Sequence, residues 1–202
     1  MQIPIRQKTN ISWKYLIITL ASCHAGSLIS APNDSQSSQP ASSSKKDSAL
    51  DAGHQKIFEI RFECPIKLEE QPSQRPETAG ALIIMESYHG EAKWLKVNVT
   101  RARYAEQAEI TMQGVVDALV AEVAASKQLK NSKTKVEDAK IGELSCKHIL
   151  ATGDKGDDKF FQEKMIILQG KTLWIVMTTW SGKTYSVAPT VNKIMSSINI
   201  NP

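Results

Sequence analysis

Three cysteines are the residues of this 202-residue chain best suited to covalent chemistry. A thiolate is a nucleophile, so it can be acylated or can pair with a second cysteine. Cys23 ends a short apolar segment, whereas Cys64 and Cys146 lie within patterns typical of β-strands. Two outcomes are open for Cys64 and Cys146. A disulfide would stabilise the fold by about 4 kcal/mol in the chain-entropy model, but cysteine is also a common buried core residue.

Other reactive side chains lack the spacing of a metal or catalytic site. The four histidines are dispersed, without the His-x-x-x-His spacing of a zinc helix. Residues 154–158 are acidic but lack the Asp-x-Asp-x-Asp-Gly order of a calcium loop, so we interpret them as a turn. No Gly-x-Ser-x-Gly motif occurs, and the segment 181–184 lacks the first glycine of a phosphate loop. We expect no metal, no cofactor and no enzymatic activity.

Aromatic side chains provide the remaining candidate surface. Trp174 and Trp180 share one side of a predicted strand, and Trp94 lies five residues after His89. Such tryptophans either fill a core under helices or form an exposed patch for a partner. Both interpretations stay open, and we take His89, Trp94, Trp174 and Trp180 as the candidate partner or ligand surface.

The segment before Cys23 has the organisation of an export signal. The first 14 residues carry three basic and no acidic side chains, and residues 15–21 form an apolar core. This core is far shorter than the roughly 20 residues of a spanning helix. The sequence Leu-Ala-Ser-Cys at residues 20–23 resembles the lipobox of bacterial lipoproteins. The resemblance implies cleavage before Cys23 and attachment of acyl groups such as palmitate, which would hold the protein to a membrane.

The predicted organisation follows from this resemblance. Residues 1–22 would be a signal peptide, 23–54 the lipidated N-terminus and a Ser-rich linker, and 55–202 a globular domain. The linker composition is typical of disorder, with a reach on the order of 25–30 Å. His24 follows the cysteine where many inner-membrane lipoproteins have aspartate, which favours the outer membrane, facing the periplasm. Secretion with cleavage after Ala25, or an uncleaved N-terminal strand, stays open.

The distribution of charge argues against a nucleic-acid partner. The formal net charge is +4, with 25 basic and 21 acidic residues. Removing residues 1–22 leaves 22 basic against 21 acidic residues, a net charge of +1. Nucleic-acid binding requires clustered Lys and Arg to neutralise phosphates, so we expect no nucleic-acid partner.

Hydrophobic periodicity predicts an α+β domain. Alternation of period two indicates strands, and apolar residues three or four apart indicate two helices. Hairpin-connected strands with separate helices favour a mainly antiparallel sheet flanked by two principal helices. The first predicted elements are a strand over 55–64, a loop over 65–79, a strand over 80–85, a turn at 88–91 and a strand over 92–100. A five-turn helix follows from about 106, with Lys127 and Lys130 at its C-terminus. The last elements are a strand over 142–150, a turn over 153–158, a hairpin of 160–168 with 172–180, and a helix from about Tyr185 with Pro189 in its first turn.

The C-terminal third resembles a known fold family. Ile141-Gly142 before a strand, the acidic turn, the segment 170–175 and a closing helix that ends at Ile198 are similar to the PsbP-like α/β/α sandwich. Members of this family bind proteins or stabilise assemblies and share no catalytic motif, so the resemblance implies the fold and no reaction.

We therefore expect a lipid-anchored, non-enzymatic envelope domain that binds an unidentified envelope protein. Two alternatives stay open. One is a small-ligand or metal-binding periplasmic sensor with a pocket near His89, Trp94 and the acidic turn. The other is a periplasmic immunity protein that binds a toxin.

Overall fold

The computed structural model describes residues 53–74, 81–183 and 187–200. The predicted signal peptide, Cys23 and nearly all of the predicted linker lie outside the described residues. The first described strand begins at Gly53, two residues before the predicted start of the domain. No helix among the described residues is long and apolar enough to cross a membrane.

The described residues form ten strands and two helices. Five strands precede the first helix, four strands separate the two helices, and one short strand follows. The elements are β1 (Gly53–Ile57), β2 (Ile60–Cys64), β3 (Glu69–Gln74), β4 (Leu82–Ala92), β5 (Leu95–Tyr104), α1 (Met112–Ala125), β6 (Lys130–Ile141), β7 (Leu144–Lys155), β8 (Asp158–Gln169), β9 (Thr172–Ser181), α2 (Ala188–Ser196) and β10 (Asn199–Ile200).

A seven-stranded antiparallel sheet forms the middle of the domain. Its strand order is β3-β4-β5-β9-β8-β7-β6, and we call it the main sheet. The strands β1, β2 and β10 form a separate small sheet. Helix α1 packs on one face of the main sheet, and α2 packs with the small sheet on the other. The predicted α+β class, with a mainly antiparallel sheet and two principal helices, is confirmed.

Both faces of the main sheet are covered, which explains why its central strands are almost continuously apolar. In β5, Val97 and Val99 are buried on the α2 face, and Ala102 and Tyr104 are buried on the α1 face. The hairpin of β8 and β9 turns at Gly170, whose φ of +58° a residue with a side chain rarely adopts. This hairpin, predicted from the strand segments 160–168 and 172–180 and the turn that joins them, is confirmed.

Helix α1 begins later than its periodicity predicted. Thr111 caps it, because the threonine hydroxyl accepts a hydrogen bond from the amide of Gly114 at 3.1 Å. The helix ends at Ala125, so the prediction that Lys127 and Lys130 lie in its last turn was wrong. Lys127 follows the helix, and Lys130 begins β6. In α2, the prediction of Pro189 in the first turn is confirmed.

Three predictions of loops, turns or strands were wrong, and one strand had not been predicted. The stretch 55–64 is two strands, because the chain turns at Phe58 and Glu59 without a turn-forming residue. The predicted loop 65–79 contains β3, and the predicted turn 88–91 lies within β4. Strand β6 has no predicted counterpart because its residues are mostly polar. It is an edge strand with little burial on either side, so it needs no apolar alternation.

Gly90 is a strand residue for a steric reason. A Cβ atom at this position would lie 2.6 Å from Leu68 Cδ2 and from the carbonyl oxygen of Lys67. The glycine therefore lets the segment after β2 lie directly against β4. The same glycine contributed to the wrong prediction of a turn at 88–91, because glycine is also the commonest turn residue.

Candidate functional site

The structure has Cys64 and Cys146 as free, buried thiols rather than as a disulfide. The Cys64 thiol donates a hydrogen bond to the Ile66 carbonyl at 3.3 Å, and the Cys146 thiol donates one to the Leu144 carbonyl at 3.4 Å. Burial raises the pKa of both thiols, so neither is activated as a nucleophile. Of the two outcomes left open by the sequence, the structure has the buried free thiols.

The three candidate tryptophans have three different environments. Trp174 is buried in the core on the α2 face, and its indole nitrogen donates to Glu59 Oε2 at 3.0 Å. Trp180 is half-buried and stacks on Phe161, with ring centroids 5.3 Å apart. Trp94 lies in the two-residue turn between β4 and β5 and is 41% exposed. The candidate surface therefore loses Trp174, which is part of the fold.

Arg101 connects the small sheet to the main sheet. Its guanidinium lies 2.8 Å from Glu59 Oε1 and 2.8 Å from Glu86 Oε2, and Arg101 is 15% exposed. The guanidinium also lies over the Phe58 ring, 4.2 Å from its centroid. Burial raises the pKa of Glu59, but the Trp174 hydrogen bond and the Arg101 charge outweigh burial and lower it. We call Phe58, Glu59, Glu86, Arg101 and Trp174 the Arg101 clamp.

Phe58 is the strained residue of this clamp. Its φ of +57° lies in the left-handed region, which is rare for a bulky residue. Besides Arg101, its ring meets Tyr88 edge-on at 5.3 Å. Such backbone strain persists where surrounding contacts fix the conformation. The clamp fixes the turn between β1 and β2 against the main sheet, so its role is structural.

One end of the main sheet brings together Trp94, Trp180 and the acidic turn. Leu95, next to Trp94, pairs with Trp180, and Trp180 pairs with Phe161 at the start of β8. We call this the Trp94 end and define it as residues 91–96, 126–133, 152–161 and 179–183. It carries eight exposed lysines and four carboxylates: Lys93, Lys96, Lys127, Lys130, Lys133, Lys155, Lys159 and Lys183 against Glu91, Asp154, Asp157 and Asp158.

The carboxylates of the acidic turn are engaged by cations rather than grouped for a metal. Asp154 accepts hydrogen bonds from Lys159 and from Asn131, which lower its pKa. Asp158 pairs with Lys183 at 2.9 Å. Within the described ranges, no three His, Cys, Asp or Glu side chains are placed to hold a metal ion. The turn itself is formed by Gly156, whose φ is +62°.

His89 lies apart from the Trp94 turn. It pairs with Asn98, three ladder positions from the turn, and its ring nitrogen lies 3.9 Å from Glu91 Oε2. Its side chain is about one-third exposed. The structure therefore places His89 on the side of the β4–β5 hairpin and Trp94 at its tip.

The α1 face contains a buried charge that the sequence did not indicate. Lys164, in the apolar β8, is 2% exposed, and its ammonium lies 3.5 Å from Glu122 Oε2 of α1. Burial lowers the pKa of Lys164, and the charge of Glu122 opposes this effect. Gln162 and Asn98 are also buried on this face. A lysine within an apolar strand was the available signal, but only the packing of α1 on the main sheet places Glu122 next to it.

The opposite end of the main sheet contains an exposed aliphatic residue that sequence analysis missed. Ile83 is the extra residue of a β-bulge in β4, and it is 58% exposed. We define the Ile83 end as residues 81–83, 103–112, 140–144 and 168–172. Its charges balance, with Arg103, Lys140 and Lys171 against Glu106, Glu109 and Glu143. Half-buried apolar side chains accompany Ile83 there: Ala81, Leu82, Ile110 and Met112.

Comparison with known proteins assigns the fold. No family model matches the sequence, and no curated protein matches it. The solution structure of cyanobacterial PsbP (CyanoP) from Synechocystis sp. PCC 6803 is similar, with a TM-score of 0.51 and 10% identity, over 81% of this chain and 100% of that one. The fold is PsbP-like. At this identity the likeness shows the fold and no activity.

Two further structures are more distant. One is PA94 from Pseudomonas aeruginosa, of unknown function, with a TM-score of 0.43 and 13% identity over 75% of this chain and 98% of that one. The other is LpqN, involved in cell envelope biogenesis of Mycobacterium tuberculosis, with a TM-score of 0.40 and 14% identity over 68% of this chain and 83% of that one. Both TM-scores are below 0.5, so neither adds to the PsbP-like assignment.

Proposed function

We propose that this protein is a lipid-anchored, non-enzymatic accessory domain of the bacterial cell envelope that binds a protein partner through the Ile83 end. The anchor is supported by the Leu-Ala-Ser-Cys sequence at residues 20–23. Acylation of Cys23 would tether the domain, and His24 favours the outer membrane facing the periplasm. Among the reactive groups of the described domain, Cys64 and Cys146 are buried, and the carboxylates of Glu86 and Asp158 pair with cations.

The observation that carries the partner proposal is the exposure of Ile83. A β-bulge turns one side chain away from the alternation of its strand, and bulges are enriched where a protein needs a side chain re-aimed. Ile83 is thereby presented next to half-buried Leu82, at the end of the sheet that also holds half-buried Ile110 and Met112 and has balanced charges. An apolar centre with few unbalanced charges is the composition of the buried part of a protein interface.

Crosslinking in the native envelope tests this surface. A photoreactive residue replaces Ile83 in the full chain, and the matched control carries it at Val136, an aliphatic residue 40% exposed on β6. We expect one discrete crosslinked protein from position 83, identified by mass spectrometry, and none from position 136. Ile83→Asp should then abolish co-purification of that protein, whereas Val136→Asp should not. The same product from both positions would contradict the proposal.

Intact-mass analysis tests the anchor separately. Membrane-extracted wild type is compared with Cys23→Ala. We expect a chain that begins at Cys23 and carries added acyl mass, both lost in the variant. An unacylated chain in the wild type would remove the anchor from the proposal and leave the partner surface to be judged by crosslinking.

A further inference from the structure

Trp94 is exposed at a place where the fold does not use it. Its side chain lies at the tip of the β4–β5 hairpin and belongs to neither of the two hydrophobic cores of the described domain. The ammonium of Lys93 lies 5.8 Å from the centre of its ring. The half-buried Trp180–Phe161 stack lies behind it, across the pairing of Leu95 with Trp180. An aromatic tip with an apolar layer behind it can enter an apolar medium without unfolding a strand.

Positive charge is concentrated along the end of the main sheet that carries this tip. The Trp94 end holds eight of the 19 basic residues of the described domain but four of its 17 acidic residues. The rest of the described domain therefore has more acidic than basic residues, 13 against 11. The cations lie on four separate stretches of chain, so the tertiary structure, and not a run in the sequence, collects them. A potential of this sign at one end orients the domain toward an anionic surface.

The chemistry of these residues distinguishes a lipid surface from a protein surface. All eight cations are lysines, and none is an arginine. Arginine is enriched and lysine is depleted where proteins bind proteins. At a membrane, tryptophan occupies the headgroup level, and lysine contributes through its charge to anionic headgroups while its methylenes cover apolar surface. The Trp94 end has the composition of a membrane surface, tryptophan together with lysines, and the Ile83 end lacks it.

The entry of the chain into the domain is on the same half of the main sheet. Gly53 pairs with Cys64, and Cys64 bonds to Ile66, which packs against Gly90. Gly90 is four residues from Trp94. Thirty residues separate Cys23 from Gly53, so a tether of that length, with a reach of about 30 Å, would keep the Trp94 end near the bilayer. Such a tether raises the effective concentration of the membrane at this surface.

We propose that the Trp94 end is a membrane-docking surface that inserts Trp94 among the headgroups of an anionic bilayer, with the lysines along this end of the main sheet on the phosphates. The proximity of the bilayer rests on the proposed lipid anchor, whereas the surface itself rests on the described residues. Docking through Trp94 turns the opposite, Ile83 end away from the membrane. The domain then presents its partner surface to the periplasm.

The test uses protein without acyl groups, so its result does not depend on the anchor. The chain from residue 23 onward, with Cys23→Ser, is mixed with vesicles of equal parts phosphatidylglycerol and phosphatidylcholine, and with vesicles of phosphatidylcholine only. We expect binding to the anionic vesicles, and loss of that binding in about 1 M salt, where the screening length falls to about 3 Å. Brominated acyl chains should quench the tryptophan emission of the bound wild type.

Matched variants locate the contact. Trp94→Ala should weaken vesicle binding about tenfold, the loss expected from one large apolar side chain. Ile83→Ala, at the other end, should leave it unchanged. Lys93→Gln with Lys155→Gln should weaken binding about fivefold per lysine, and Lys135→Gln with Lys140→Gln should change it less than twofold. Melting temperatures of all variants serve as the folding control.

Several results would overturn docking. These are no binding to the anionic vesicles, equal losses in the Trp94→Ala and Ile83→Ala variants, or quenching that survives Trp94→Phe unchanged. A photoreactive residue at position 94 that crosslinks to a protein in the envelope, and not to lipid, would assign this end to a protein partner instead. None of these results bears on acylation of Cys23 or on crosslinking from position 83, so the proposed function is judged separately.

Discussion

The two ends of the main sheet are made by the same strands and have opposite surface chemistry. At the Trp94 end, lysines outnumber carboxylates two to one and share that end with an exposed tryptophan. At the Ile83 end, basic and acidic residues are equal in number and accompany an exposed isoleucine. The Arg101 clamp lies between them, in the half closer to Ile83, because Arg101 pairs with Trp174 near the start of β9.

The difference separates charges that hold the fold from charges that are available to a partner. In the clamp, one guanidinium is surrounded by two carboxylates and an aromatic ring. Without Arg101, Glu59 keeps the Trp174 hydrogen bond and Glu86 keeps Arg103 at 3.6 Å, but the two carboxylates lose the cation that they share. At the Trp94 end, pairs such as Lys183–Asp158 are exposed to solvent and contribute little to stability. Variants of the clamp should therefore change stability, and variants of either end should change binding.

The largest expected effect is that of Arg101→Ala. It leaves Glu59 and Glu86 without their shared cation and removes the ring contact of Phe58, so we expect the free energy of unfolding to fall by about 3 kcal/mol. Arg101→Lys should recover only part, because an ammonium cannot bridge both carboxylates as a guanidinium does. Urea unfolding measures both variants. A loss below about 1 kcal/mol for Arg101→Ala would show that the clamp does not hold the two sheets together.

Glu122 and Lys164 give a smaller effect on the α1 face. Glu122→Gln removes the partner of a buried ammonium, and we expect a loss of about 2 kcal/mol, because hydrogen bonds to charged groups contribute roughly 1.5–3 kcal/mol. Lys164→Met removes the buried charge itself and should be neutral or stabilising by about 1 kcal/mol. Equal losses in the two variants would contradict this assignment. Denaturant unfolding near neutral pH compares them.

The pH dependence of the same pair has a definite sign. Because burial lowers the pKa of Lys164, the unfolded chain binds more protons than the folded chain between the folded pKa and 10.5. The free energy of unfolding should therefore rise as pH increases through that window, and the increase should be complete above pH 10.5. The difference in unfolding free energy between wild type and Lys164→Met isolates this slope from other titrating groups. A difference that does not vary with pH would contradict the lowered pKa.

Acid should weaken the contribution of the clamp to the free energy of unfolding, by a smaller amount than the substitutions above. The pKa of Glu59 is lowered, so its contribution is complete above its ordinary value of 4.5 and is lost as pH falls through the folded pKa. Since the Glu59 side chain is 36% exposed, solvent screens the effect, and we expect less than about 1 kcal/mol. Wild type should lose stability more steeply than Glu59→Gln below pH 4.5. Parallel curves in acid unfolding would argue against it.

The smallest effects on stability are expected at the two ends themselves. Trp94→Ala and Ile83→Ala should each change the free energy of unfolding by less than about 0.5 kcal/mol, the usual range for surface positions. Thermal unfolding of both variants checks this. A large loss for either one would mean that its side chain supports the fold, and its binding data could then no longer be interpreted as a surface effect.

Local pattern predicted the elements that bury a regular set of side chains. The two strands of the β8–β9 hairpin are mostly apolar because both of their faces are buried, and the turn between them contains Gly170. Helix α1 shows its buried side at residues three and four apart, such as Val116 and Leu119. Strand β6 could not be predicted in this way, since an edge strand buries too little to leave a pattern.

The candidate site was only partly predictable. Trp94, Trp180 and the acidic turn were named from the sequence, and the structure brings them to one end. Trp174 was included in the candidate surface because side-chain parity shows only which residues share one face of a strand. It does not show whether other elements cover that face. Ile83 was missed because it lies in the apolar run 81–85, which predicts a short buried strand, and only the β-bulge exposes it.

The sequence by itself determined which elements the domain contains, namely two helices and hairpin-forming strands, and that its two cysteines lack metal spacing. It could do so because periodicity and turn residues act over a few positions. The tertiary structure decided which residues meet. Strand order places lysines from four stretches of chain at the same end of the main sheet as Trp94. Register pairs Arg101 with Trp174, and the packing of the small sheet on the main sheet places Glu59 against both. These arrangements depend on pairings between distant segments, which local spacing does not encode.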